Sequence, residues 1–163
     1  MFREMRRIKQ QLPKEECIAI LSEAKSGVLA LLGDDGYPYT VPLNYVYVDG
    51  RIIFHCGKEG HKIDAIKNCE KASFCVIAKD DIIKEKYTTA FKSVIAFGKL
   101  SFVENEEQKY NLIAALSQKY RPGHHDEMNK EIFSAMNHLT IIVMEIEHLS
   151  GKEGIELAKM RRN

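Results

Sequence analysis

Histidine, cysteine, glycine and lysine are gathered in Phe54-His55-Cys56-Gly57-Lys58-Glu59-Gly60-His61-Lys62, which runs on into Ile63-Asp64-Ala65-Ile66. A strand is expected to end near Cys56 and a helix to begin near Gly60, with a glycine-bearing loop between them. Glycines let a backbone approach a ligand closely. The start of a helix offers unpaired N–H groups and a partial positive charge, which together favour an anion. Lys62 falls in the first helical turn, where the dipole disfavours a cation by roughly 0.3–1 kcal/mol and a bound phosphate would reverse that sign. A solvated lysine on a short helix is the competing reading, and the residues alone leave both open. His55 can likewise be a proton donor to a ligand or a strand histidine bonded to a neighbouring carbonyl.

Other chemistry-bearing residues are less organised. His124-His125-Asp126-Glu127 holds metal-ligand types, but the four are consecutive in an expected loop and read as solvated. Cys17, Cys56, Cys69 and Cys75 show no CxxC spacing, so neither a zinc knuckle nor a redox pair is indicated. Cys17, Cys69 and Cys75 read as small buried apolar residues. No nucleophile–base–acid set stands out.

Residues 1–12 read as a basic, irregular lead-in, and Pro13 opens a helix over Lys14 to Lys25 that Gly27 stops. Gly27 to Leu32 is a short apolar run before the turn cluster Gly33-Asp34-Asp35-Gly36. Tyr37 to Val48 reads as one long strand broken in its ladder by Pro38 and Pro42, and Asp49-Gly50 turns it into the returning strand Arg51 to Cys56. A short helix over His61 to Asn68 and a buried strand over Ala72 to Ala78 follow, then a polar connection over 79–89. Phe91 to Val103 reads as a bent strand, Glu104 to Tyr120 and Asp126 to Asn137 as helices, Leu139 to His148 as a last strand, and Gly151 to Asn163 as a polar tail. About six strands, clustered in hairpins, favour an antiparallel β-barrel with peripheral helices over a parallel sheet. The chain reads as a single domain over 1–163.

The 163 residues carry 24 Lys+Arg against 23 Asp+Glu, a net charge of +1, with 45% hydrophobic and 29% charged residues. That balance excludes a disordered chain and argues against nucleic acid as a partner, which would call for a basic excess. Apolar runs such as Val28 to Leu32 fall far short of the roughly 20 residues of a membrane span. Arg3, Arg6, Arg7 and Lys9 lead into no apolar segment, so a secretory signal is not expected and the cytoplasm is.

Six segments, in this order, resemble the FMN-binding split-barrel superfamily typified by pyridoxamine 5′-phosphate oxidase, and most closely its nitroimidazole-resistance (Nim) flavoproteins. They are Met1 to Arg7, Gly33 to Tyr39, Val41 to Tyr47, Phe54-His55-Cys56, Gly60 to Ala65 and Ser93 to Gly98. The resemblance implies a homodimer with one FMN in each of two clefts between subunits. It implies that His61 and Lys62 hold the flavin phosphate, with Cys56 and Gly60 where the oxidases have small hydroxyl residues. Val41, Pro42, Leu43 and Asn44 would run along the isoalloxazine edge, Ser93 and Val94 would face the flavin from the other subunit, and His55 would lie close to flavin and substrate. The chain has no Trp and lacks the oxidases' basic C-terminal segment, ending in Gly151-Lys152-Glu153-Gly154 and onward, so pyridoxamine phosphate is not its expected substrate.

The function implied is an FMN-dependent oxidoreductase moving electrons from a small-molecule donor to a small acceptor, a nitroaromatic among the candidates. The alternative is a flavin-binding or sensing protein without turnover; a haem-binding split barrel is a third, weaker reading. No GxGxxG nicotinamide fingerprint is present.

Overall fold

The computed structural model describes residues 1–124, 130, 132, 134 and 136–162. Much of the expected helix over 126–137, and His125, Asp126 and Glu127 of the histidine–carboxylate run, lie outside the described residues. Seven strands are present among the described residues: β1 (Ser26–Leu32), β2 (Pro38–Asn44), β3 (Val46–Val48), β4 (Arg51–Gly57), β5 (Lys71–Ile83), β6 (Thr88–Phe102) and β7 (Leu139–Glu153). Four α-helices have both ends among the described residues: α1 (Lys14–Glu23), α2 (His61–Asn68), α3 (Glu106–Tyr120) and α4 (Ile155–Arg162). The strands form one sheet in the order β2-β1-β5-β6-β7-β4-β3, and every pairing is antiparallel.

The expected long strand over Tyr37 to Val48 is in fact two. It breaks at Tyr45, and β2 and β3 lie at opposite edges of the sheet although this one residue separates them. The sheet therefore curls until its two edges nearly meet, which is the split barrel. Tyr45 is fully buried at that seam. Its ring meets Phe74 edge-on at 4.8 Å, Phe74 meets Phe54 at 5.1 Å, and its hydroxyl donates to the Leu21 carbonyl at 2.7 Å. Pro38 and Pro42 are tolerated because β2 is an edge strand. Asp49 and Gly50 both take positive φ, 49° and 80°, as a tight primed hairpin turn requires.

Two further expectations are corrected. The stretch 79–89 is not a connection but the end of a hairpin, β5 running to Ile83 and β6 starting at Thr88. Its polar composition misleads because this ribbon projects into solvent, with Ala90 as its buried point. The tail is ordered: β7 continues to Glu153 and α4 follows. The buried Glu153 carboxylate accepts from Arg161 Nε at 2.7 Å, while Gln10 donates to the Glu153 carbonyl at 2.8 Å, so the C-terminal helix and the lead-in brace each other. Cys17 is buried, whereas Cys69 and Cys75 are only partly so. No helix among the described residues is long and apolar enough to cross a membrane.

Candidate functional site

Barrel closure brings β2 and β4, far apart in the sheet order, to one cavity. Asn44 at the end of β2 and His55 on β4 both line a cavity of about 360 Å³. Its other walls are Ile113, Leu116, Ser117 and Tyr120 of α3, with Ile132 and Leu139. Along β2 the side chains alternate: Val41 and Leu43 are half-buried against the core, and Pro42 and Asn44 face outward.

The C-terminal end of α3 is fastened to the seam. Tyr120 Oη accepts from the Tyr45 N–H at 2.9 Å and lies 2.5 Å from the Lys25 carbonyl and 2.7 Å from that of Tyr45, to either of which its proton can go. Lys119 donates to the Ala24 carbonyl at 2.7 Å and rests over the Tyr45 ring at 4.0 Å. Burial lowers the Lys119 pKa and raises that of Tyr120, and burial followed by Tyr120 itself raises that of Tyr45. Both tyrosines therefore stay protonated at neutral pH.

His55 is different. Burial, and secondly the positive charge of Lys62, lower its pKa below the ordinary histidine value, so the imidazole is neutral at pH 7. A neutral ring offers one donor and one acceptor. Cys56 is half-buried, and burial raises its pKa against the opposing pull of Lys62. It is a thiol and not a thiolate nucleophile.

Gly60 caps α2 with φ 117°, a conformation that favours glycine, and its carbonyl accepts the first helical bonds from Ile63 and Asp64. A Cβ built at Gly57 or Gly60 would meet nothing within 4 Å, so the loop faces open space on this side. The first amides of α2 have no helical acceptor. His61 and Lys62 then part company. The His61 ring stacks on Tyr39 at 4.1 Å, with Nε2 3.5 Å from Asp34 in the β1–β2 turn. Lys62 is half-buried towards the end of β4, where its charge acts on His55 and Cys56, and makes no ion pair among the described residues. An open glycine cradle, free helix amides and an unpaired ammonium fit a phosphate-bearing cofactor.

Ser93 and Val94 lie on β6, away from this cavity. Val94 is fully buried in the core, and Ser93 is half-buried on the opposite face. The wall supplied by α3 has no signal in the sequence, because Ser117 and Tyr120 reach β2 and β4 only through tertiary packing.

The outer face of the sheet carries an uncovered apolar row. Register aligns Pro42, Val28, Cys75 and Ile95 across four strands, with Val28 38% and Ile95 37% exposed.

Comparison with solved structures finds the same fold in several proteins. A candidate 5-nitroimidazole antibiotic resistance protein of Bacteroides thetaiotaomicron superposes with a TM-score of 0.77 at 19% identity, over 88% of this chain and 86% of that one. A FAD and haem binding protein of Mycobacterium smegmatis gives 0.76 at 17% identity, over 95% and 80%. A FAD-binding protein of Mesorhizobium loti gives 0.62 at 22%, over 89% and 97%. At these identities the likeness is one of fold. Among curated proteins no sequence matches the chain. The family model described as pyridoxamine 5′-phosphate oxidase matches residues 13–153, which span β1 to β7 and every residue of the cavity and cradle. The chain belongs to the pyridoxamine 5′-phosphate oxidase family.

Proposed function

We propose that this protein is an FMN-dependent oxidoreductase, a single cytoplasmic domain over 1–163 that works as a homodimer and passes electrons from a small-molecule donor to a small acceptor. The observation that carries the reading is Lys62, unpaired at the glycine-opened start of α2 and close enough to His55 to perturb it. Lys62 and the first amides of α2 would hold the phosphate, Val41 to Asn44 would flank the ring system, and Cys56, Gly60 and His61 would shape the loop. When bound, the flavin supplies the redox chemistry; the protein supplies binding, orientation and electrostatics. His55, neutral and at the cavity wall, would donate a hydrogen bond to the acceptor from its ring N–H. With no nicotinamide fingerprint in the sequence, either an external donor visits the flavin directly or another protein reduces it.

The purified protein is expected to absorb as a flavoprotein, to release FMN and not FAD on heating, and to bleach on stopped-flow mixing with NADH or NADPH. Release of FAD would overturn the monophosphate assignment. A flavin that stays oxidised with every donor would move the protein to the sensing class, and a haem spectrum would replace the flavin reading altogether.

The dimer rests on the apolar row, which the family arrangement would cover with a second subunit contributing Ser93 to the flavin cleft. Exposed Ile77, 63% accessible, extends the row, and so large an uncovered patch is unusual on a monomer. Burying it calls for an obligate interface above roughly 2,000 Å². Sedimentation should give twice the 18.7 kDa chain mass, and a flavin-loaded monomer would contradict this.

A further inference from the structure

β1 and β2 pair as far as Ser26 opposite Asn44. One step further along the two antiparallel chains stand Lys25 and Tyr45, outside the ladder. The Tyr120 hydroxyl occupies the place of that next rung. It accepts from the Tyr45 N–H at 2.9 Å and lies 2.5 Å from the Lys25 carbonyl, the two groups that a direct rung would join. A proton given to Lys25 completes the run from N–H to hydroxyl to carbonyl. The neighbouring Lys119 ammonium donates to the Ala24 carbonyl at 2.7 Å, so the end of α3 holds this edge of β1 twice. Tyr45 has no partner in the β3–β4 ladder either, which begins with Val46 opposite Ile53. A hydroxyl between two backbones keeps them further apart than a direct bond of about 2.9 Å would. The strands therefore part after Asn44, and the chain can leave for β3 at the opposite edge of the sheet.

We propose that Tyr120 is a positioning residue of the candidate site: its hydroxyl is the last rung between β1 and β2, and it fixes where β2 ends and so where Asn44 stands. Asn44 is the residue just before the break, and it lines the cavity together with His55 and the Tyr120 ring. Tyr120 thus acts through the backbone of Tyr45, one residue along from the group it places. A water could bridge the same two backbone groups, but a hydroxyl carried on a packed helix is held in place whether the cavity is filled or empty. The placing of Asn44 stands on this geometry alone. Its bearing on flavin binding rests on the reading above, in which Val41 to Asn44 flank the ring system.

Tyr120→Phe leaves an apolar ring edge where the hydroxyl was. The ring keeps the strands apart and offers no acceptor, so the N–H of the fully buried Tyr45 is left unmet. Hydrogen exchange followed by NMR should show the Tyr45 N–H exchanging about tenfold faster or more, and the Asn44 side-chain amide resonance should shift. Tyr45→Phe is the matched control. It also loses one hydroxyl bond at the seam, the one to Leu21, and should leave both signals almost where they were. Tyr120→Phe apoprotein should bind FMN and riboflavin each about tenfold more weakly, with the ratio between them unchanged, because the cradle at α2 is untouched. Unaltered Tyr45 exchange with an unmoved Asn44 amide would overturn the proposal. So would equal changes in Tyr45→Phe, which would mark a general loosening of the seam. If Tyr120→Phe fails to fold, the unsubstituted protein decides: slow exchange at Tyr45 upholds the rung, and exchange as fast as that of exposed loop amides overturns it. The NMR readout needs no flavin, so a freed Tyr45 and a shifted Asn44 in a protein that takes up no flavin would uphold the positioning role and sink the flavin reading. A flavin-loaded protein whose affinities ignore Tyr120→Phe would do the reverse.

Discussion

Lys62→Ala should weaken FMN binding roughly 10- to 100-fold and leave riboflavin binding almost unchanged. The side chain stands in the first turn of α2, without an ion pair among the described residues. Its charge-assisted bond to a phosphate is worth roughly 1.5–3 kcal/mol, and each tenfold in affinity is about 1.4 kcal/mol. Riboflavin has no phosphate, so it reports general damage to the cleft and nothing else. Equal losses for both ligands would make Lys62 a support of the Cys56–Gly60 loop. No loss for either would return it to an ordinary surface lysine. Fluorescence titration of apoprotein with the two ligands measures both affinities.

The largest stability effect is expected at the barrel seam. Tyr45→Ala removes a fully buried aromatic ring from the Phe54–Phe74–Tyr45 stack, and with it the donor to the Leu21 carbonyl and the platform under Lys119. Truncations of this kind cost about 3–5 kcal/mol, against a total of about 5–15 kcal/mol for a domain. The melting temperature should fall by about 6–20 °C, at about 2–4 °C per kcal/mol for a chain of this length. Tyr45→Phe keeps the ring and loses the hydroxyl bond, so it should cost about 1 kcal/mol. Thermal melts at fixed protein and flavin concentration separate the two, since bound ligand shifts apparent stability. Equal losses would place the stabilisation in the hydroxyl and not in the packed ring, and a loss under about 1 kcal/mol for alanine would mean that the seam does not depend on Tyr45.

Much of this was legible in the residues. Asp49-Gly50 announced its hairpin, and Gly57 and Gly60 announced the loop and helix start that follow β4. The antiparallel barrel followed from strands clustered in hairpins. Other features depend on what lies above or beside a residue, which local pattern does not carry. The break at Tyr45 is hidden because Tyr, Val and Thr favour extended backbone on both sides of it. The ribbon at 79–89 reads as loop because Lys79, Asp80 and Asp81 face solvent. Val94 stands beside Ser93 in sequence, but alternation turns the two to opposite faces of β6. His61 and Lys62 are neighbours in sequence, but the His61 ring is held by Tyr39 and Asp34, more than twenty residues upstream.

The place of β7 in the sheet has a consequence for how the chain is made. It is the last strand in sequence but pairs with β6 on one side and β4 on the other, aligning Glu145 with Arg51. Until residues 139–153 leave the ribosome, β2-β1-β5-β6 and the β3–β4 hairpin have no strand between them, and the edges of β6 and β4 stand unpaired. Unpaired edges invite association with other chains, and partly folded chains of this size are prone to it. Released chains truncated before Leu139 should therefore depend on chaperones for solubility, whereas the 163-residue chain should not.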